Sequence, residues 1–239
     1  MSVEHQKYLS EHFCAPAGSE CIQGNAIFAW DQHGKYFPLD KDACIWEIDP
    51  GFAAMLNLLH TKCGYTNVNA VDISPEVVDF CSQLMPQSTK WTDGTARFPE
   101  AQRGKHDLII IMMFDVLEHV PKEEVVPFLM ATRETLKLKG KILAEVPNCA
   151  HPLTGRYHRY HDITHTVGFS DQSLAFVMCT AGFSSVSIYP RKVPRISTAT
   201  VSQRASQNAA ELLVSMLLKL YVRRQPVILS SAHGACADK

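Results

Sequence analysis

Residues 106–119 read HDLIIIMMFDVLEH, an almost continuous apolar run over 106–114 followed by Asp115, Glu118 and His119. An apolar run of this kind is typical of a central parallel strand that helices cover on both faces. The polar residues come at the carboxyl end of that strand, which is the edge where open α/β sheets bind their ligands. This stretch therefore predicts an α/β fold and the edge of the sheet at which a site lies.

Strand-like and helix-like segments alternate on either side of this run, which is the pattern of a mostly parallel sheet with helices on both faces. Ser74 and Pro75 begin one helix as N-cap and first-turn residue. Pro121 opens another, whose buried stripe ends at Leu136 and whose first turns Pro127 is expected to distort. The other expected elements are strands at 43–48, 67–73, 141–146 and 184–189 and helices at 52–62 and 170–181, with Lys139-Gly140 ending the Pro121 helix.

The overall composition argues against several classes of protein. The chain has 239 residues, is 46% hydrophobic and carries a formal net charge of -1, so neither a disordered chain nor a nucleic-acid binder is expected. No apolar run approaches the roughly 18 residues of a membrane span, and MSVEHQKYLSEHF at the start lacks the apolar core of a secretion signal. The eight cysteines form no C-x-x-C pair, so we expect reduced thiols and a cytoplasmic protein.

Acidic residues follow the predicted strands at their carboxyl ends. Glu47 ends the first strand and Asp72 ends the second. An acid in the position of Asp72 can accept hydrogen bonds from both hydroxyls of a ribose. Asp93-Gly94 follows a third candidate strand, and Asp115 follows the fourth. These positions predict a nucleotide-type ligand at this edge of the sheet.

Two segments, VDISPE at 71–76 and FDVLEHVP at 114–121, form a specific pair in this order and at this distance. With VPN at 146–148, RYHDITH at 159–165 and GFS at 168–170, they resemble the class I S-adenosylmethionine-dependent methyltransferases, in particular small-molecule and glycan-type enzymes of bacterial biosynthetic clusters. The resemblance implies a Rossmann-like, doubly wound, seven-stranded sheet, with S-adenosylmethionine as cofactor and S-adenosylhomocysteine as product. It further implies methylation of a hydroxyl, with an amine less favoured, on a small polar or sugar-like acceptor.

By the same resemblance, Glu47 lies near the methionine end of the cofactor and Asp72 binds the ribose. Asp93 flanks the adenine, although a plain Asp-Gly turn is almost as good an interpretation there. The full set of implied cofactor-binding residues is Glu47, Asp49, Gly51, Asp72, Ile73, Asp93, Gly94, Phe114 and Asp115.

The glycine loop after the first strand departs from the family pattern of three alternate glycines. Only Gly51 is present, and Asp49 and Ala53 replace the other two. We expect Ala53 to be tolerated because the helix packs at that position rather than turning. Asp49 either weakens cofactor binding through its charge or hydrogen-bonds the cofactor's ammonium group. A catalytically silent methyltransferase-like binding or scaffold protein is therefore the alternative hypothesis, whereas a nicotinamide-dependent oxidoreductase is disfavoured because DVLEH is foreign to it.

Histidines cluster on the expected acceptor side of the site. His119 and His165 are candidate general bases, since imidazole accepts a proton near neutral pH. For His119 a purely structural role is an equal alternative, and Asp162 and His165 are expected to orient one another. The helical spacing of residues 158, 161 and 165 would suit a metal, but the loop-like residues around them favour substrate-binding histidines, and no metal is predicted. The expected acceptor-binding residues are Arg156, Tyr157, Arg159, Tyr160 and His161.

The sequence divides into a helix-and-loop lead-in at 1–40, the cofactor-binding domain at 41–190 with a substrate loop near 148–168, and a C-terminal helix and tail at 191–239. The C-terminal helix carries an apolar stripe of Ala209, Leu212, Leu213, Met216, Leu217 and Leu220. Packing on its own domain or in a homodimer is preferred to weak contact with a membrane surface. The residues from about Ser230 onwards are expected to be disordered.

Overall fold

The computed structural model describes residues 19–91, 108–193, 198–221 and 228–239. Its strands are β1 Ile45–Ile48, β2 Val68–Val71, β3 Lys90–Trp91, β4 Leu108–Phe114, β5 Leu136–Pro147, β6 Ser184–Pro190 and β7 Ala232–Asp238. Its helices are α1 Ser19–His33, α2 Ala54–Thr61, α3 Pro75–Leu84, α4 Val125–Thr135, α5 Gly155–Tyr160, α6 Asp171–Thr180 and α7 Thr198–Tyr221, with a short 3-10 helix at Gly34–Tyr36. Asp93 and Gly94 lie outside the described residues.

The strands form one sheet in the order β3-β2-β1-β4-β5-β7-β6. All neighbouring pairs from β3 to β5 are parallel, and β7 runs antiparallel to both β5 and β6. The predicted doubly wound, mostly parallel seven-stranded sheet is therefore confirmed. The chain moves outward from β1 in one direction and from β4 in the other, so the strand order reverses between these two strands. Ligands bind at such a switch point in open α/β sheets.

The apolar run that predicts β4 is explained by burial on both faces of the sheet. Ile111 and Met113 pack in the hydrophobic cluster that also contains Leu129 of α4. Ile110 and Met112 pack in the opposite cluster, with Leu56 of α2. Because successive side chains of a strand point to opposite faces, a strand covered on both sides needs apolar residues at every position.

The helix before β5 differs from its prediction at both ends. It begins at Val125 rather than at Pro121, so Pro127 falls in the first turn, where its missing N–H has no intrahelical acceptor to lose. It ends at Thr135 rather than at Lys139-Gly140, and Leu136 is a buried strand residue instead of the last residue of the helical stripe. The hydroxyls of Thr132 and Thr135 donate to backbone carbonyls within this last part of the helix.

The expected disorder from about Ser230 is wrong, because this segment forms β7 in the interior of the sheet. Every residue of β7 from Ala232 to Ala237 is buried. The sequence does not predict this strand, because the strand consists mainly of small residues and lacks the β-branched and aromatic side chains that are typical of strands. Small side chains are required here: a Cβ at Gly234 would lie 2.2 Å from Cε2 of Tyr189. The sheet is thus completed from outside the region expected to bind the cofactor.

Helix α7 carries the predicted apolar stripe, but the stripe is not buried against the parts of the chain that the structure describes. The leucine and methionine side chains from 212 to 220 that form it are 50–78% exposed. The helix is held from its polar side, where Glu211 pairs with Lys192 and Gln207 donates to the carbonyl oxygen of Arg191. Packing in a homodimer stays a prediction. No helix in the described parts of the chain is long and apolar enough to cross a membrane.

The burial of β7 generates a test of this fold. Replacing Ala235, which is fully buried, with Asp places an unpaired carboxylate inside the sheet. We expect the free energy of unfolding to fall by about 3 kcal/mol or more. The control is Ala210→Asp on the exposed surface of α7, where the lower helix propensity of Asp costs about 0.7 kcal/mol or less. Urea unfolding measures both, and equal losses would contradict the position of β7.

Candidate functional site

The loop between β1 and α2 turns through three left-handed residues at alternate positions. The φ angles of Asp49, Gly51 and Ala53 are 57°, 50° and 50°. These are the three positions at which the resembled family uses glycine, so the chain keeps the left-handed turn with one glycine. The expectation that Ala53 does not turn is wrong, although the residue is accommodated: its methyl group is fully buried at the start of α2. Asp tolerates left-handed backbone better than most residues. A Cβ on Gly51 would meet no atom within 4 Å, so this part of the loop borders open space.

Glu47 and Asp72 lie buried at the carboxyl ends of adjacent strands. Oδ1 of Asp72 accepts a 2.7 Å hydrogen bond from the backbone N–H of Ser74, whereas its Oδ2 and Oε2 of Glu47 receive none from the described residues. Ser74 occupies the predicted N-cap position, but its side chain makes no capping hydrogen bond. Burial, together with the nearby carboxyl group of Asp49, raises the pKa of both Glu47 and Asp72 to about 8. Each of these two acids therefore has one carboxyl oxygen that could accept a hydrogen bond from a ligand.

The end of β4 adjoins this region. Phe114 is half-buried and stacks on His33 with ring centroids 4.6 Å apart. Asp115 has a left-handed φ of 55° and reaches solvent through a cavity. Reduced contact of the Asp115 carboxyl group with water, followed by the negative charge of the nearby Glu145, raises the pKa of Asp115 to about 7. The positive charge of Arg191 acts in the opposite direction.

The cavity that begins at Asp115 has a volume of about 690 Å³. It is enclosed by the ends of β4 and β5, the residues just before β7, the end of β6 and the segment around α5. Its lining combines carboxyl, imidazole, guanidinium and hydroxyl groups with apolar surface in comparable amount. The lining residues are Asp115, Glu118, His119, Pro147, His158, His161, Asp162, Ile163, His165, Arg191, Ser231 and Ala232.

Of the five residues expected to bind the acceptor, His161 lines this cavity. The segment that carries them includes the short helix α5 rather than being all loop. Arg156, Tyr157 and Tyr160 are exposed and are not among the lining residues, although Tyr157 stacks on His161 at a centroid distance of 4.9 Å. Arg159 points the other way, into the loop that follows, where it donates to the carbonyl oxygens of residues 165 and 166. It holds that loop in place.

The two candidate bases, His119 and His165, are brought together although they are distant in sequence. Their rings are 4.7 Å apart at an angle of 71°. Nδ1 of His165 lies 2.8 Å from the carbonyl oxygen of His158, so this carbonyl orients the ring in place of the expected Asp162. Asp162 instead accepts from the backbone N–H and the hydroxyl of Thr164.

Sequence reasoning missed three contributors to the site. Glu118 belongs to the DVLEH block, whose position after the central strand could have signalled a functional acid, but no function is predicted for this residue from the sequence. Arg191 forms a 3.0 Å ion pair with Glu145, which also lies 3.4 Å from Nε2 of the buried His33. Nothing in the local sequence of Arg191 or Glu145 signals this network, because their partners lie in remote segments.

The raised pKas of Glu47 and Asp72 predict that the stability of the ligand-free protein depends on pH. Their ordinary pKas are 4.5 and 3.8, and in the folded protein both are about 8, so between these values the folded state holds more protons than the unfolded state. The free energy of unfolding therefore decreases as the pH rises through this interval. We expect Tm in scanning calorimetry to fall between about pH 5 and about pH 8, and to fall less in Glu47→Gln/Asp72→Asn.

A control for this pH dependence removes two exposed acids instead. The variant Asp31→Asn/Asp79→Asn should keep the wild-type decline in Tm, because both side chains are exposed. An undiminished decline in Glu47→Gln/Asp72→Asn would show that these two acids are not its source.

No family model and no curated protein matches the sequence. The structure, however, is similar to solved methyltransferases over nearly its whole length. An S-adenosylmethionine-dependent methyltransferase from Archaeoglobus fulgidus superposes with a TM-score of 0.65 at 19% identity, over 96% of this chain and 97% of that one. For one from Mesorhizobium loti the TM-score is 0.59 at 13% identity, over 90% and 100% of the two chains.

A third similar structure, PigF, was solved with S-adenosylhomocysteine, and superposes with a TM-score of 0.58 at 9% identity over 92% of this chain and 57% of that one. Likeness at such low identity establishes the fold. The chain has the fold of the class I S-adenosylmethionine-dependent methyltransferases, as its motifs predict.

Proposed function

We propose that this protein is an S-adenosylmethionine-dependent methyltransferase that methylates a hydroxyl of a small polar or sugar-like acceptor. One observation supports this function in addition to the similarity of the fold. Two buried acids, Glu47 and Asp72, lie at the ends of β1 and β2 next to a left-handed loop that borders open space, and each has a carboxyl oxygen that receives no hydrogen bond from the described residues. Buried carboxyl oxygens without donors are costly, and a ligand rich in hydroxyl and ammonium groups supplies the missing donors.

The residues of this chain fit the cofactor in the following way. Asp72 would accept hydrogen bonds from the ribose hydroxyls through Oδ2, while Oδ1 continues to accept the hydrogen bond from the backbone N–H of Ser74 before α3. Glu47 would lie near the positively charged methionine end. The absence of a side chain at Gly51 leaves room for close approach to the loop backbone. Asp49, Ile73, Phe114 and Asp115 complete the proposed set among the described residues.

The cavity is the proposed acceptor site. It meets the cofactor side at Asp115, and His161, Arg191 and Ser231 offer polar groups to a hydroxylated molecule. The exposed ring of Tyr157 already stacks on the lining residue His161, and it and the exposed ring of Tyr160 on the same short helix are the proposed faces for stacking on a sugar. The polar groups of the cavity wall could hydrogen-bond a hydroxylated acceptor, while Pro147, Ile163 and Ala232 offer apolar contacts to its carbon atoms.

The proposed reaction is a direct displacement. When bound, S-adenosylmethionine supplies a methyl group that its sulfonium already activates. The acceptor oxygen attacks the methyl carbon, the carbon–sulfur bond breaks with its electron pair going to sulfur, and the hydroxyl proton leaves the acceptor oxygen. The protein contributes mainly alignment and exclusion of water. His119 and His165 are placed beside the acceptor to receive or direct the proton.

The alternative function, a catalytically silent binding or scaffold protein, draws support from the charge of Asp49. This carboxyl group raises the pKas of Glu47 and Asp72, which disfavours the ionised forms that bind hydroxyl and ammonium donors best. The left-handed geometry retained at residues 49, 51 and 53 favours the enzyme instead.

Isothermal titration calorimetry with S-adenosylmethionine and S-adenosylhomocysteine tests the cofactor proposal. We expect wild-type protein to bind both, and Asp72→Asn to weaken binding by about tenfold or more, because a charged hydrogen-bond acceptor is lost. The matched control, Asp79→Asn on the exposed side of α3, should bind as wild type does.

The outcomes of this titration separate the two functions. The enzyme proposal fails when wild type shows no heat and no thermal shift at millimolar ligand. Binding that appears only in Asp49→Gly would support the silent protein, since the charge of Asp49 would then be what prevents binding.

The acceptor side is tested by methyl transfer to a panel of monosaccharides and phenols, with mass spectrometry of the product. In wild type we expect transfer to hydroxyl-bearing members of the panel. His119→Ala and His165→Ala should each lower turnover about 100-fold while leaving cofactor affinity unchanged. His60→Ala, on the remote helix α2, is the control. Unchanged rates in both cavity variants would remove these two histidines from the mechanism.

A further inference from the structure

We propose that Glu118, His119 and His165 form a binding site for one divalent transition-metal ion at the wall of the acceptor cavity. The potential ligand atoms of these three side chains all lie within 4.8 Å of one another. The site combines two neighbouring residues after β4 with one residue that comes after α5. It is a different set from residues 158, 161 and 165, whose helical spacing in the sequence first raised the question of a metal.

The backbone brings the three residues together and keeps them there. The backbone N–H groups of Thr166 and Val167 both donate to the carbonyl oxygen of Glu118, at 2.7 and 3.1 Å. The hydroxyl of Thr166 donates to the carbonyl oxygen of Val120 at 2.6 Å. The loop that carries His165 is therefore fastened directly to the segment that carries Glu118 and His119.

Hydrogen bonds select the same tautomer in both histidines. Nδ1 of His165 faces the carbonyl oxygen of His158, which can only accept, so Nδ1 carries the proton and the lone pair is on Nε2. The Thr164 hydroxyl donates its proton to Oδ1 of Asp162 at 2.6 Å, so it accepts from Nδ1 of His119, which lies 2.9 Å away. A histidine that donates from one nitrogen to a carbonyl, or to a hydroxyl backed by a carboxylate, is oriented in the way that metal-ligating histidines are.

Glu118 supplies an independent observation. Its side chain is 2% exposed, and neither carboxyl oxygen receives a hydrogen bond from the described residues. A buried carboxylate without donors or a cation is strongly unfavourable. A divalent ion held by Glu118 and two neutral imidazoles would remove this cost, and no other cation of the described chain lies within ion-pair distance of that carboxyl.

Two imidazoles and one carboxylate select the class of metal. Mixed nitrogen and oxygen ligands suit Mn²⁺, Fe²⁺, Co²⁺ and Zn²⁺ better than Mg²⁺ or Ca²⁺, which prefer oxygen ligands alone. Three protein ligands leave coordination positions open toward the cavity. This part rests on the proposed function: an acceptor hydroxyl bound at an open position would lose its proton more readily to solvent water in the cavity, and its oxygen would then attack the methyl carbon, with the carbon–sulfur electron pair going to sulfur. His119 and His165 act in that arrangement as ligands rather than as bases.

The full-length protein, stripped with a chelator and dialysed, tests the site without any methyl acceptor. We expect calorimetric titration with MnCl2, CoCl2 or ZnCl2 to show one ion per chain, with weaker or no binding of MgCl2. Co²⁺ should give visible absorption bands of nitrogen and oxygen ligation. Glu118→Gln and His165→Ala should each weaken metal binding by about tenfold or more, because each removes a direct ligand.

Two further variants make the test specific. His161→Ala should bind metal as wild type does, although His161 lines the same cavity; loss in His161→Ala with retention in His119→Ala would overturn this ligand set. Mn²⁺ should raise Tm of wild type and leave Tm of Glu118→Gln unchanged. Absence of binding by all three transition metals, or unchanged binding in Glu118→Gln and His165→Ala, would also overturn the site.

Failure of the metal site and failure of the proposed function are distinguishable. S-adenosylmethionine binding by Glu118→Gln, measured in the same calorimeter, should equal that of wild type. Wild type that binds S-adenosylmethionine but no metal refutes this inference alone. Wild type that binds metal but no S-adenosylmethionine refutes the methyltransferase and leaves the metal site in place.

Discussion

The crowding of buried carboxyl groups at the ends of neighbouring strands is the constraint on which the site depends. Burial raises the pKas of Glu47, Asp72 and Glu118, and nearby carboxyl groups raise them further, with Asp49 the main one for Glu47 and Asp72. The protein thus places carboxyl groups where water stabilises their charged forms poorly. Several carboxyl oxygens at this edge of the sheet receive no hydrogen bond from the described residues, so the edge is well suited to positively charged ligands. The proposed cofactor and the proposed metal both answer this need, on opposite sides of Asp115.

The neighbouring Glu145 shows what the chain does when a buried acid has a structural role. Its two oxygens are met by Arg191 and His33, and the hydroxyl of Tyr189 lies 2.6 Å from Nδ1 of His33. This network ties helix α1 to the far strands of the sheet and closes one end of the cavity. Glu47, Asp72 and Glu118 each retain at least one oxygen without a donor among the described residues. The acid whose oxygens are both paired, Glu145, therefore belongs to the structural framework. The acids that keep an oxygen without a donor mark the proposed ligand sites.

The C-terminal strand gives the acceptor cavity part of its wall. Asn148, which is fully buried at the end of β5, donates to the carbonyl oxygens of residues 228 and 230 and so fixes the approach to β7. Ser231 and Ala232 then face the cavity from the side opposite α5. Because β7 is antiparallel and lies between β5 and β6, its first residues come to the same edge as the carboxyl ends of the parallel strands. A segment remote in sequence thereby becomes part of the site.

The class of fold follows from local patterns in the sequence, and the same patterns predict the edge of the sheet at which the candidate site lies. The apolar run before Asp115 predicts a strand buried on two faces, and the acids after successive strands predict the ligand edge. The left-handed turn at Ala53 did not follow from the sequence, which favours a packed start of the helix at that position. The central place of the small residues of β7, and the meeting of Glu118 and His119 with His165, likewise depend on the tertiary structure. Pairing between distant segments depends on sheet order and loop closure, which leave no periodic signal in the chain.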